Sequence, residues 1–524
     1  MTLTNLSDLG VNENTPVEEI RKNLDKFFNS NQDNKLYWDV PIKLKNNEKI
    51  VIEADNNIYI EFKHDIFIES YNQAKDNNET TENNPTILHL RGRKVANAGT
   101  VKLKDIKEKD YYFPVPKKVF NLINKKYSHV DNFIIYSNNC FIFMGKNKFD
   151  LKSVREDDSF YWCCIDNYYY FNEYALDDRG EDFYIYTSPK VCVKNLVLKT
   201  KLDNQLVKNK SKSGLRVDFG NSVEIKNCQI SGFKYSGITC TYCYDTKIQE
   251  CIVDSLSEDI GEDLMCYGIN IASSHLSVIK NCCTFNCKHG ISLGGKTPNY
   301  DTLIKNCIFK SFQEKNIFYA VLRTHNSAIA TKVENCLFNG PLDHCGKDIY
   351  INNCQFYSLI MNSSPSISIK SQNKNAGFVI IENTGISGYW LPTAIYVGDG
   401  YIPEMATPGV LYNDIKIKKV LVSLNNSSEC LRVAPQYGSI VINKFSIEES
   451  VFDTQSSNLV RILNKEPMDL TIKNLTISGT FNKKPISLSE DFSLSNLESY
   501  ENNGFWVSNG KRSNKPGVKL RVKK

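Results

Sequence analysis

The sequence predicts an all-β solenoid, a parallel β-helix, and three observations carry this prediction. The chain has 524 residues, far more than one ordinary globular domain, so a core that grows coil by coil is favoured. A strand-like segment that contains a cysteine occurs six times. Apolar and polar residues alternate within it, which is typical of a strand with one buried face.

The recurring segment defines the predicted coil. Its copies are VEIKNCQIS, TKIQECIVD, SVIKNCCTF, TLIKNCIFK, TKVENCLFN and DIYINNCQF, with the cysteines Cys228, Cys251, Cys282, Cys307, Cys336 and Cys354. Their spacings are 23, 31, 25, 29 and 18 residues, which is too irregular for a rigid helical repeat. In a β-helix the strands repeat and the turns vary in length.

Each residue type in the segment has a predicted place. A cysteine pointing inward is a small polarizable core residue. The asparagine before it is predicted at a bend, where its amide can bond the asparagine of the next coil about 4.8 Å away. A second strand precedes each copy, as in SGLRVDF, SGITCTY and YGINIAS, so a coil has at least two strands.

The chain divides into four predicted segments. Residues 1–62 are a capping helix, with Ile20, Leu24, Phe27 and Phe28 on one face, and the first coil strands. Residues 63–190 are a loop-rich aromatic insertion with further strands, for which sugar contact and ordinary packing are both open. Residues 191–484 form the main solenoid, and 485–524 end in a basic tail. That tail either docks on an acidic or anionic partner or is a solvated terminus.

Composition argues against several classes of protein. The net charge is +5, from 64 basic and 59 acidic residues, so nucleic-acid binding has no global signature. No apolar run is long enough for a membrane span, and no secretion signal is visible. The odd count of 17 cysteines predicts reduced thiols. Cys240 and Cys243 have zinc-like spacing without a second pair, and we expect a structural role.

A family resemblance rests on SDLGVNENTPVEEIRKNLDKFF, KLYWDVPIKLKNNEKIVIEADNNIYIEF, KVCVKNLVLKT, YGINIASSHLSVIKNCCTFNCKHGISLGG and YAVLRTHNSAIATKVENCLF. These segments resemble phage tail spikes of the pectate-lyase-like right-handed parallel β-helix superfamily. The usual glycine-rich element is replaced by Val11, Asn12 and Glu13. The resemblance implies a tail spike or appendage that binds, and cuts, a host surface polysaccharide or wall teichoic acid. It also implies a homotrimer, contact with other tail proteins, and a place in the virion after assembly in the host cytoplasm.

Candidate catalytic residues cluster between positions 254 and 344. They are His289, Arg323 and His325, with Asp259, Glu262 and Asp263 in the acidic loop SLSEDIGEDLM. His289 opens one strand and His325 leaves another one coil later, so we expect both on one outer face. For each histidine, a turn residue bonded to backbone is the alternative.

Three chemistries remain open from the sequence. Two carboxylates would cleave a glycosidic bond. Histidine acting as acid or base, with Arg323 on the phosphate, would cleave a teichoic-acid-like phosphodiester, and carboxylates could hold a divalent cation there. A lyase on a uronic-acid polymer would use Arg216, Arg323 or Lys296. A receptor-binding or structural β-helix without catalysis is the main alternative, and a cellular pectinase-like enzyme is a third.

Overall fold

The structure is a computed structural model in two compact units. Unit 1 comprises residues 1–282 and 293–300, and unit 2 comprises residues 283–292 and 301–524. The residues that it describes are 2–30, 34–44, 48–68, 86–108, 112–138, 140–145, 149, 152, 154–157, 159–164, 169–171, 180–200, 213–233, 235–255, 266–311, 313–314, 317–318, 320–358, 364–399, 409–454, 460–462, 469–473, 475–478, 486–488, 506–508 and 511–513.

A coil in either unit has three short parallel strands, which we assign to sheets A, B and C. The strand before the asparagine belongs to sheet A, the strand after the cysteine to sheet B, and the strand that precedes sheet A along the chain to sheet C. The sequence predicted at least two of these. Each strand pairs in parallel with its counterpart one coil away, as Asn221–Lys226 does with Tyr244–Gln249.

Unit 1 contains the first coils. Its sheet A strands are Thr2–Asn5, Asn34–Trp38, Ile58–Phe62, Lys190–Lys194, Asn221–Lys226, Tyr244–Gln249 and His275–Lys280. Its sheet B strands are Ile42–Leu44, Ile66–Ile68, Val197–Thr200, Gln229–Ser231 and Ile252–Asp254. Its sheet C strands are Ile50–Ala54, Thr86–Gly92, Ser213–Asp218, Ser236–Thr241 and Tyr267–Ala272. Coil strands therefore begin well before residue 191, as the predicted segment 1–62 requires.

Unit 2 continues the same pattern. Its sheet A strands are Ala328–Glu334, Lys347–Asn352, Asn375–Glu382, Val410–Lys418, Ile440–Glu448 and Asp469–Lys473, and Asn299–Lys305 lies mostly in this unit. Its sheet B strands are Cys283–Cys287, Ile308–Ser311, Leu337–Asn339, Gln355–Ser358, Val451–Thr454 and Thr476–Ser478. Its sheet C strands are His289–Gly294, Leu322–Thr324, Leu342–His344, Ile367–Ser371, Val460–Ile462 and Ile486–Leu488. The long strands Gly385–Asp399 and Leu421–Val433 serve both sheet B and sheet C.

The asparagines before the cysteines stand at a sharp bend between sheets A and B. Asn227, Asn281, Asn306, Asn335 and Asn353 all have φ between 51° and 54°, a left-handed conformation that asparagine tolerates better than most residues. Their amides form the predicted ladder. In unit 1 Asn227 donates to the side chain of Asn195 at 2.8 Å, and in unit 2 Asn335 donates to Asn306 at 3.1 Å and Asn353 to Asn335 at 2.9 Å.

The repeat cysteines point into the core, as predicted. Cys228, Cys251, Cys282, Cys307, Cys336 and Cys354 are at most 3% exposed. Each thiol donates to the carbonyl two residues earlier at 3.2–3.4 Å. A cysteine at this position therefore fills the core and also caps a carbonyl beside the bend.

The N-terminal helix α1, Val17–Phe28, closes the start of unit 1. Ile20, Leu24 and Phe28 are buried, whereas Phe27 is only half-buried. Asn29 ends the helix and ties it to the strand Ile50–Ala54, because its amide donates to the carbonyl of Glu53 at 3.0 Å. The predicted capping helix is therefore present, and it contacts the first coils.

An inserted lobe interrupts the coils of unit 1 after Thr86–Gly92. Its strands Lys94–Lys102, Gly180–Thr187, Asn132–Tyr136, Cys140–Gly145 and Tyr169–Phe171 form an antiparallel sheet. A second antiparallel sheet contains Tyr112–Pro116, Val154–Glu156 and Phe160–Cys164, beside the helices α2, Leu103–Glu108, and α3, Lys117–Lys126. The lobe has its own apolar core, which includes Phe113, Phe120, Phe133 and Phe183. The predicted segment boundaries remain a prediction.

The remaining elements are short. They are the 3-10 helix Ser7–Leu9, the hairpin Gln313–Glu314 with Ile317–Phe318, and the hairpin Trp506–Ser508 with Lys511–Ser513. The rest of the basic tail, residues 514–524, lies outside the described residues. None of the helices in the described part of the chain is both long enough and apolar enough to cross a bilayer.

The asparagine ladder can be tested at Asn335. We expect Asn335→Ala to lower the free energy of unfolding by about 2 kcal/mol, because two side-chain hydrogen bonds are lost and alanine resists the left-handed conformation. Urea denaturation measures this. Asn335→Gly removes the same bonds but accepts the conformation, so its loss should be smaller. A glycine variant less stable than the alanine variant would contradict this account of the bend.

Candidate active site

Arg323 and Asp343 lie side by side on the outer face of sheet C in unit 2. They are directly opposite each other in the parallel register of their strands. Their neighbours Leu322 and Leu342 point the other way and are fully buried. Because neighbouring strands are about 4.8 Å apart, the guanidinium and the carboxylate reach the same patch of surface. The sequence singled out Arg323 and missed Asp343.

His325 follows the same strand and is neutral at neutral pH. Burial lowers the pKa of its imidazole, and the charge of Arg323 lowers that pKa further, whereas the charge of Asp343 acts in the opposite direction. Its backbone carbonyl accepts a hydrogen bond from the amide of Ala328 at 3.0 Å. The imidazole of His325 is half-buried, and the charges of Arg323 and Asp343 both act on it.

Asp343 is held in an unusual state for a carboxylate. It is only 6% exposed, and within the described part of the chain its Oδ1 atom has no hydrogen-bond partner. An unpaired buried carboxylate oxygen costs free energy, and such groups require an explanation. Interaction with Arg323, His325 or a bound ligand is the explanation we favour.

His289 lies in the same neighbourhood but is turned inward. It is 4% exposed, and its Nδ1 donates to the carbonyl of Ala320 at 2.6 Å, the tautomer assigned from this bond. Burial, with smaller contributions from the charges of Arg323 and His325, lowers its pKa to about 3. The two predicted histidines and Arg323 are therefore close enough to interact. The catalytic role of His289 stays a prediction.

The other predicted residues lie elsewhere. Asp259, Glu262 and Asp263 fall outside the described residues, so their roles stay predictions. Lys296 lies in unit 1 and donates to the side chain of Asn138 at 3.3 Å. No group of three or more His, Cys, Asp or Glu side chains among the residues described is arranged to hold a metal ion.

The outer face of sheet C in unit 2 continues as a polar strip beyond Asp343. In register it carries Ser368, Tyr396, Arg432 and Arg461, one residue per coil. The Arg432 guanidinium lies 6.0 Å from the centre of the Tyr396 ring, and the Lys370 ammonium lies 5.9 Å from it. Tyr396 itself is 6% exposed and its hydroxyl donates to the carbonyl of Ala434 at 3.0 Å, so Lys370 and Arg432, and not the ring, are the accessible part of the strip here.

Arg216, a predicted candidate for a lyase, lies on sheet C of unit 1 in a cluster with His89 and Asp218, which the sequence did not single out. His89 bonds Asp218 across 129 residues of sequence, with 2.9 Å between Nε2 and Oδ2, and the Nε of Arg216 donates to both oxygens of Asp218 at 2.8–2.9 Å. The alternation in TILHLRG and SGLRVDF does place these residues outward. Because the inserted lobe separates these two strands in the sequence, the sequence alone does not show that they pair in register.

The comparisons with known proteins agree with this architecture. The family model described as a right-handed beta helix region matches residues 120–309 and 201–356. The fold of this chain is a right-handed parallel β-helix. The predicted fold class is thereby confirmed. No curated protein sequence matches this β-helix.

Three solved structures share the architecture. The tailspike protein of Pseudomonas phage LKA1 is 15% identical over 92% of this chain and 77% of its own, with a TM-score of 0.57. The tailspike of Acinetobacter baumannii bacteriophage AP22, solved in complex with capsular saccharide, is 11% identical over 95% and 79%, with a TM-score of 0.54. The tailspike of Pseudomonas phage phi297 is 14% identical over 83% and 71%, with a TM-score of 0.50. At these identities the likeness concerns the fold.

Buried neutral histidines predict acid sensitivity for unit 2. Burial lowers the pKa values of His289 and His344 to about 3, against an ordinary 6.5. Between these values the unfolded chain binds protons that the folded chain does not, so stability falls as pH falls, by about 1.4 kcal/mol per pH unit for each imidazole. Denaturation measured from pH 7 to pH 4 tests this.

His344→Gln should flatten this pH dependence, whatever its effect on stability at pH 7. His64→Gln, at an exposed position, is the control and should keep the slope of the unmodified protein. An unchanged slope in His344→Gln would contradict the assignment of a neutral buried imidazole.

Proposed function

We propose that this β-helix is a phage tail appendage that binds a polymer of the host cell surface along sheet C of unit 2 and cleaves it at Arg323, His325 and Asp343. The observation that carries the proposal is the meeting of these three residues on adjacent coils, with a neutral imidazole beside a guanidinium and a carboxylate. Few outward patches of a solenoid need such a costly arrangement for folding alone.

The likeness to tail spikes supports the biological setting. All three solved structures described above are phage tailspikes, and one of them holds a capsular saccharide. A place in the virion tail, contact with other tail proteins and a surface polysaccharide as ligand are proposed for this chain on that basis.

The three residues suit distinct steps. His325, neutral at neutral pH, takes a proton from the substrate or from water and returns it to the leaving group. Arg323 binds an anionic group of the polymer, or the negative charge that develops during bond cleavage. Asp343 is a positioning residue, because its charge opposes the effects of burial and of Arg323 on His325.

The composition of the cluster favours a substrate with an anionic group at the cleaved bond. A glycosidase of the usual kind needs two carboxylates on either side of the bond, and in the described part of this cluster Asp343 is the carboxylate that acts on His325. An imidazole with an adjacent arginine fits a teichoic-acid-like phosphodiester or a uronic-acid linkage. The predicted divalent cation remains a proposal.

Adsorption without cleavage is the second candidate function. The strip from Ser368 to Arg461 favours it, because Lys370, Arg432 and Arg461 provide cationic groups but no neutral base. Binding along this strip and cleavage at Arg323 are compatible in one molecule.

Exposed apolar residues on sheet B of unit 2 support association of copies of the chain, which the predicted homotrimer requires. Ile308 and Leu337 occupy the same outward position on adjacent coils, as do Leu421 and Val451, with Gln355 and Gly385 between the two pairs; the four apolar residues are 36–51% exposed. Exposed aliphatic residues aligned in this way are typical of a contact surface. We propose that copies of the chain associate there.

The catalytic proposal is tested by Arg323→Lys, His325→Gln and Asp343→Asn. We expect each to reduce the release of fragments from host surface polymer by about a hundredfold or more, read by mass spectrometry, while host-cell binding persists. Lys332→Ala, an exposed change on sheet A of the same coil, should have no effect. Full cleavage by His325→Gln would rule out the assigned base.

The pH dependence of cleavage gives a second test. Because the pKa of His325 lies below the ordinary 6.5 of histidine, kcat/KM should stay level as pH falls through 6.5 and decline only at lower pH. In Asp343→Asn the opposing negative charge is gone, so the decline of the residual activity should move further down. A decline that begins above pH 6.5 would contradict the assignment.

A further inference from the structure

The cluster around Arg216 in unit 1 is arranged as a binding site separate from the proposed catalytic residues. His89 and Arg216 are neighbours in register on sheet C. Asp218, two residues beyond Arg216, bonds both of them. Asp218 is 6% exposed, so its carboxylate is covered. The side chains of His89 and Arg216 lie nearer the surface.

Asp218 orients the imidazole of His89. Burial raises the pKa of Asp218, but the hydrogen bond from His89 and the charge and hydrogen bonds of Arg216 outweigh it and hold the pKa at about 2. The ionised carboxylate accepts a hydrogen bond, so Nε2 of His89 carries a proton. Among the residues that the structure describes, Nδ1 of His89 has no hydrogen-bond partner.

Arg216 has hydrogen-bond donors that Asp218 does not engage. Its Nε is engaged by Asp218, whereas its two terminal amino groups have no hydrogen-bond partner among the described residues. Its side chain is 36% exposed. Arg91, one coil earlier, offers a contrast, because both its Nε and one terminal nitrogen donate to Glu53 at 3.0 and 2.6 Å.

One tyrosine lies near the arginine, and a second lies beyond the first. Tyr235 interacts electrostatically with Arg216, and Tyr267 stands one coil further on, with its backbone amide donating to the carbonyl of Tyr235 at 2.8 Å. Their ring centres are 6.5 Å apart, and both are half-buried. Aromatic rings of this kind offer flat faces to the apolar side of a sugar ring.

We propose that His89, Arg216, Tyr235 and Tyr267 form a binding site for an acidic saccharide unit. The terminal amino groups of Arg216 bind its carboxylate or phosphate in the two-pronged manner that guanidinium favours. The Nδ1 atom of His89 forms a hydrogen bond with a hydroxyl of the sugar, and Tyr235 packs against the sugar ring. The site concerns binding alone, so it stands whether or not unit 2 cleaves the polymer.

The test measures binding by calorimetry in the Asp343→Asn background, where cleavage by unit 2 is blocked. The probes are short oligogalacturonates, the same oligomers with their carboxyl groups reduced, and a glycerol phosphate oligomer. We expect the acidic probe to bind and the reduced probe to bind at least about tenfold more weakly, since charged hydrogen bonds are lost. Arg216→Lys and Tyr235→Ala should each remove one binding event per chain.

Arg91→Lys is the matched control and should bind like the background protein. Melting temperatures close to the background show that the variants are folded, and Tyr235→Ala keeps the test decisive if Arg216→Lys unfolds. Binding of the oligogalacturonate alone assigns a carboxylate, and binding of the glycerol phosphate oligomer alone assigns a phosphate. Equal binding of the reduced probe, no binding of either anionic probe, or full binding by both folded variants would overturn the site.

Discussion

The parallel register is the constraint on which both units depend. Backbone hydrogen bonds place each residue beside the residue at the same position one coil away, about 4.8 Å distant. The residues that a coil exposes or buries must therefore be compatible with the residues at the same positions in the next coil. Asparagine bonds asparagine at the bends, and in unit 2 the rings of Phe309, Phe338 and Phe356 stack with centres 4.9 and 4.4 Å apart. Each core side chain must therefore pack against the side chain at the same position in the next coil.

The same constraint governs charge on the outer faces. Like charges directly opposite on neighbouring strands repel, and unit 2 mostly alternates them, as in Lys305 with Glu334 at 2.9 Å. Arg432 and Arg461 break this rule, because they are in register with each other. Glu429 lies 3.9 and 3.7 Å from them, so one carboxylate contacts both guanidinium groups and offsets their repulsion. A like-charged pair in register is therefore tolerated here because an opposite charge lies between its members.

The sequence was sufficient where the pattern is local and insufficient where coil length matters. The alternation around Val223 and Ile225, and the asparagine before five of the six repeat cysteines, predicted strand faces, bends and core thiols. Asp343 was missed because its coil is the shortest, and its register with Arg323 depends on turn lengths that no pattern specifies. His289 was expected on an outer face beside His325, yet all six residues of its strand are buried. The sequence of that strand does not show which other residues of the chain cover it.

Two histidines in similar positions of their coils have different charged neighbours. His89 and His325 both belong to the sheet C side of their coils. His89 meets an ionised carboxylate, which fixes its proton on Nε2, whereas His325 meets a guanidinium, which together with burial favours loss of the proton. For His89 the decisive neighbour is Asp218, one coil away. For His325 it is Arg323, two residues earlier on the same coil, and Asp343, one coil away, opposes it. In such a scaffold a site is therefore a property of adjacent coils, and outward substitutions can change its chemistry while the inward ladder of asparagine and cysteine keeps the fold.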